Sequence, residues 1–97
     1  MKRQNEELLG DVLRRTIEES GMTVRLYETR AVSLWPDIVG PAIAARSARP
    51  SVRDGVMTVS VASAPLRQEL TMNRSHLVDI INRTLGRDVI SDIRFIG

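Results

Sequence analysis

A chain of 97 residues with 42% hydrophobic residues has the size of one domain with a single modest core. It contains no cysteine, which excludes a disulfide scaffold and thiolate metal sites and fits a reducing compartment. The net charge is only +2, but every basic residue except Lys2 is arginine, whose planar fork suits phosphate and carboxylate.

Taken in order, the first expected element is a helix over about residues 5–20, capped by Asn5 and ended by Gly21. Leu8, Leu9, Val12, Leu13 and Ile17 recur at three- and four-residue spacing there, so this helix needs a partner surface, either the sheet or another chain. Its charged flank, and the lack of an apolar run of signal or membrane length, make the cytoplasm the expected location. Thr23 reads as the next N-cap. Val24, Tyr27, Ala31, Leu34, Trp35 and Ile38 form a second helical stripe, which Pro36 should kink or restart. Gly40 is a stop, and Pro41 a new start for residues up to Ala45. Trp35, alone among small aliphatic residues, is expected to organise the core.

The stretch Arg46 to Ser63 reads as a β-hairpin closed at Asp54-Gly55, because both central residues of a type I′ turn need positive φ. Counting outward pairs Arg53 with Val56, Val52 with Met57, Ser51 with Thr58, Pro50 with Val59, Arg49 with Ser60 and Ala48 with Val61. Alternation then puts Ala48, Pro50, Val52, Met57, Val59 and Val61 on the core face. Arg49, Ser51, Arg53, Val56, Thr58 and Ser60 fall on the outer face. Pro50 cannot donate to a ladder, so it marks either a sheet edge or a bulge that shifts this register.

Ser63 can cap a third helical region carrying Leu66, Leu70, Leu77, Ile81 and Leu85 and ending at Gly86. Asn73 to His76 is a polar interruption: the helix runs through it, or Ser75 caps a second helix near His76. Residues 89–96 alternate as a last strand, with Val89, Ile93 and Phe95 toward the helices and Ile90, Asp92, Arg94 and Ile96 away from them. The expected fold is α+β, two-layered, with helices on one face of a three-stranded sheet. Its last strand can lie parallel to one strand of the hairpin.

No catalytic constellation stands out. His76 is the single histidine, and Asp79, one helical turn on, is its nearest orienting acid. Neither a metal-ligand set nor a glycine-rich phosphate loop is visible, so no cofactor is expected. What remains is a surface. Arg49, Arg53 and Arg94, among Ser51, Thr58 and Ser60, can hold phosphates or acidic side chains. Arg67 and Arg74, seven apart and therefore expected on one helix face, form a second basic set with Arg83 and Arg87.

The run Trp35-Pro-Asp-Ile-Val-Gly40, the stretch Ala44 to Pro50, and Asp54-Gly55-Val56-Met57-Thr58-Val59 are followed by Leu66-Arg-Gln-Glu-Leu70, Ile81-Asn82 and Ile93-Arg-Phe95. This ordered set resembles the bacterial DciA family of replicative-helicase loaders and its short relatives. The resemblance covers nearly the whole chain as one domain. It implies a K-homology-like fold of type II over about residues 23–97, preceded by the extra helix over about 5–20. Asn73-Arg-Ser-His76 stands where the nucleic-acid-clamping GXXG loop of true K-homology domains would be. Trp35 and Gly40 match family signature positions and, like Asp54 and Gly55 of the turn, are read as structural. Better-studied members carry a flexible basic extension after the last strand, where this sequence stops at Gly97. The implied function is a non-enzymatic adaptor binding the replicative DNA helicase, with single-stranded DNA as a further candidate partner and neither membrane nor small-molecule substrate. The alternatives are a K-homology-like nucleic-acid binder without a helicase role and a structural or homodimeric module.

Overall fold

The computed structural model describes residues 21–97, so the helix expected over about 5–20 lies outside the described residues. The first described helix, α1, spans Met22–Val39. Its N-cap is Gly21 in left-handed conformation (φ 78°), and Thr23 is already inside the helix rather than capping it. Nor does the helix restart at Pro36. That residue sits in the last turn with its ring exposed, and the Gly40 N–H closes onto its carbonyl at 2.9 Å. A proline there deprives only the Val32 carbonyl of its helical donor, a small loss beside the packing of Trp35. Helix α2, Pro41–Ala45, follows Gly40 as expected.

Strands β1, Ser51–Arg53, and β2, Val56–Ser60, form the expected hairpin with its register intact: Ser51 opposite Thr58, Val52 opposite Met57, Arg53 opposite Val56. Asp54 and Gly55 both take positive φ, 52° and 78°, as a type I′ turn requires. Beyond Ser51 the register changes, because Ser47, not Ala48, lies opposite Val61. Four residue steps on one strand are there matched by three on the other, a one-residue bulge around Pro50. Pro50 therefore marks both an edge and a bulge, since β1 is also the outer strand of the order β1-β2-β3. The slip turns Ala48 out to solvent while Pro50 stays buried.

The third helical region is two helices, α3 over Ala64–Met72 and α4 over Arg74–Leu85. Ser63 caps α3 as expected, its hydroxyl accepting from the Leu66 N–H at 3.3 Å. The break falls at Asn73, earlier than Ser75, because the Asn73 side chain donates back to the Glu69 carbonyl at 3.0 Å and helps close the end of α3. Strand β3, Asp92–Ile96, pairs parallel with β2, completing a mixed sheet. Ile90 is buried, contrary to the alternation expected of it, because it precedes the strand. Asn82 holds it there: its amide oxygen accepts from the Val89 and Ile90 N–H groups at 2.9 and 3.1 Å, and its amide nitrogen donates to the Ile90 carbonyl at 2.8 Å.

Helices and sheet meet in one largely aliphatic core. Ala31 and Trp35 of α1, Met57, Val59 and Val61 along β2, Leu70, Leu77 and Ile81 of α3 and α4, and Ile90 and Ile93 are buried together. Trp35 packs beside Phe95 with ring centroids 6.0 Å apart. Of the stripe expected on α1, Val24 is the exception: it is half exposed. With the helices on that face, no described element covers the opposite face of the sheet.

Candidate nucleic-acid interface

The strand register decides which polar side chains come together on the open face. Ser51, Thr58 and Arg94 lie in one row across the three strands, since Thr58 is opposite both Ser51 and Arg94. A second row is Arg53, Val56 and Asp92, and Ser60 lies opposite Ile96. Directly opposed residues share a face, at about 4.5–5.5 Å between Cβ atoms in the antiparallel pair, so Arg53 on β1 and Arg94 on β3 frame a hydroxyl-lined strip. Both arginines are exposed. Such a strip offers charge-assisted donors for phosphate oxygens, and it carries no aromatic ring for stacking.

Asp92 tempers the positive charge of this face. Its carboxylate accepts from its neighbour Ile93 N–H at 2.9 Å and lies 3.8 Å from Arg74 Nε. That ion pair is about half exposed on both sides, so its contribution to stability is below about 1 kcal/mol. The Ser60 hydroxyl donates to the Gly97 carbonyl at 3.4 Å, at the end where the Val61 N–H donates to the Ile96 carbonyl.

The other expected residues are distributed differently. Arg49 falls within the bulge and lines a shallow hollow with Trp35, Pro36, Ser47 and Pro50, away from the ordered rows of the strip. Arg67 is engaged in the fold: its Nη1 donates to the Val61 carbonyl at 2.8 Å and the Ala62 carbonyl at 3.2 Å, tying the start of α3 to the end of β2. Arg67 and Arg74 do not share a helix face, because the break at Asn73 puts them on separate helices. His76 and Asp79 are exposed on α4, with no hydrogen bond between them. Among the described residues, no group of three or more His, Cys, Asp or Glu could hold a metal ion, and no helix is long and apolar enough to cross a membrane.

One cluster escapes sequence reasoning. Tyr27 reads there as another position of the apolar stripe, yet Arg30 and Arg87 both lie over its ring, at 5.4 and 4.7 Å from the centroid. The three-residue step from Tyr27 to Arg30 is visible in the sequence. The approach of Arg87, sixty positions away, depends on packing between α1 and α4.

These features define a small α+β domain whose helices cover one side of a three-stranded mixed sheet and whose other side, among the described residues, is uncovered and arginine-bearing. The family model described as "Dna[CI] antecedent, DciA" matches residues 8–95. The chain belongs to the DciA family. It is 27% identical over 94 residues to a UPF0232 protein of Mycolicibacterium smegmatis, covering 97% of this chain and 48% of that one. Similarity to a UPF0232 protein of Rhodococcus jostii is 28% over 80 residues, 82% of this chain and 43% of the relative. A UPF0232 protein of Bifidobacterium longum is 38% identical over 63 residues, 65% of this chain and 40% of its own length. The chain thus spans about half the length, or less, of the curated relatives it matches.

Proposed function

We propose that this domain is a non-enzymatic adaptor that binds a replicative DNA helicase in the cytoplasm and touches single-stranded DNA through its open sheet face. The observation that carries the reading is the family match over residues 8–95, which spans every described element but the last residues of the chain. The strip of Arg53, Ser51, Thr58 and Arg94 supports the second part, because exposed arginines among hydroxyls bind phosphates without demanding a base sequence. We read the fold as K-homology-like, since α1, β1, β2, α3, α4 and β3 follow its type II order. Asn73 alone joins the two helices where the clamp loop would stand, so contacts on that side would differ from those of K-homology domains.

The test is direct association. The purified chain is titrated against the helicase of its own species by sedimentation velocity, with a complex expected in the micromolar range or tighter. No complex at tens of micromolar overturns the helicase reading. Tight binding to single strands alone would instead favour a nucleic-acid binder with no helicase role.

A further inference from the structure

We infer that the junction of α1 and α4 carries a separate contact for single-stranded nucleic acid, built from Tyr27, Arg30, Arg87 and Arg83. It uses none of the residues of the sheet strip, and it does not depend on the helicase reading.

Tyr27 is half buried on α1, and Arg30 is one helical turn further along. Arg87 arrives from beyond the end of α4. Gly86, with φ 77°, turns the chain there, and the Arg87 N–H is held by the Asn82 carbonyl at 3.2 Å. Arg83, in the last turn of α4, lines a hollow of ≈ 350 Å³ together with Arg87, which is within the range of ligand-sized clefts. Two guanidinium groups thus share one aromatic ring, and one of them, Arg87, also lines the hollow beside Arg83.

Like charges gathered on one ring call for an anion. Among the described residues the only ion pair is between Arg74 and Asp92, so none of these three arginines has a carboxylate within pairing distance there. Asp79 and Asp88 do line the same hollow and lower its potential. Charge by itself therefore supplies limited affinity, and the ring has to contribute. With Arg30 and Arg87 lying over the ring, a base stacks on the outer plane of a guanidinium or takes its place on the ring, while the displaced arginine and Arg83 take phosphates. A duplex keeps its bases stacked inside and could not use the ring. An acidic polypeptide would engage the arginines without needing it.

The experiment follows the anisotropy of a labelled oligothymidylate of about 20 nucleotides, and of oligouridylate of the same length, against the full chain. Tyr27→Leu should weaken binding about tenfold, whereas Tyr27→Phe, which keeps the ring, should bind within about twofold of the native chain. Arg87→Ala should reduce the slope of log affinity against log salt by about 0.7. The preferred oligonucleotide tells whether the natural ligand is DNA or RNA. Unchanged circular dichroism and Trp35 emission show that each variant is folded. Three results would overturn the proposal: no binding of either oligonucleotide, native affinity in a folded Tyr27→Leu, or loss confined to the Arg53→Ala, Arg94→Ala double variant. The last of these would leave the sheet-face reading standing by itself.

Discussion

The indole N–H of Trp35 donates to the Ser47 hydroxyl at 3.0 Å, and that hydroxyl donates onward to the Ala44 carbonyl at 3.2 Å. Ser47 is also the residue whose backbone lies opposite Val61 beyond the bulge, so one residue joins the core Trp and helix α2 through its hydroxyl and the sheet through its main chain. Trp35 is 1% exposed, and its N–H has little water to turn to. Ser47→Ala should cost about 1–3 kcal/mol, the penalty of orphaning a buried donor. Urea unfolding followed by Trp35 emission measures it, and an unchanged midpoint would count against the linkage.

Asn82 acts as a latch on the chain entering β3. Its three hydrogen bonds to Val89 and Ile90 satisfy backbone groups that no ladder reaches. Asn82→Ala should destabilise the fold by about 2–3 kcal/mol, since a single net hydrogen bond is worth about 1 kcal/mol and Ile90 loses its anchorage. Amide exchange should accelerate at Val89 and Ile90 ahead of the β2 amides. Uniform acceleration across the sheet would show that the segment has no separate opening.

Gly55 is held at φ 78°, and a Cβ there would meet the Ser91 hydroxyl at 3.6 Å, ordinary contact. The cost of Gly55→Ala is therefore backbone strain rather than collision, about 1–2 kcal/mol. Thermal melts should register it, and Gly55→Asn, which tolerates the left-handed region better, should recover part of the loss. If Ala and Asn were equally destabilising, strain would not be the cause.

On the open face, Arg53→Ala with Arg94→Ala should weaken single-strand binding and flatten its salt slope by about 1.4 if each arginine contacts one phosphate. Both side chains are exposed, so stability should stay within about 0.5 kcal/mol. An oligonucleotide titration at several salt concentrations reads the slope. A slope equal to that of the native chain would remove this face from the interface.

Local rules were enough for much of this protein. Asp54-Gly55 dictated the hairpin and its inner register, Ser63 the start of α3, and the aliphatic spacing of Leu70, Leu77 and Ile81 the face that meets the sheet. These follow from the chain itself because turn chemistry, capping and periodicity act over a few residues. Where packing competed with a local signal, packing prevailed. The core contact of Trp35 lies beside Pro36 in a helix that continues to Val39, and Ile90 is buried although alternation points it outward.

Only the tertiary structure decided which arginines share a surface. The bulge at Pro50 leaves Arg49 outside the ordered rows, Arg67 is drawn onto the Val61 carbonyl, and Arg87 meets Tyr27 across two helices. Sequence determined the aliphatic α+β domain and an outward row of polar residues, since both are properties of spacing. The final grouping of charges needed the register of β3 and the packing of α1 on α4, distances set by contacts between residues far apart in the chain.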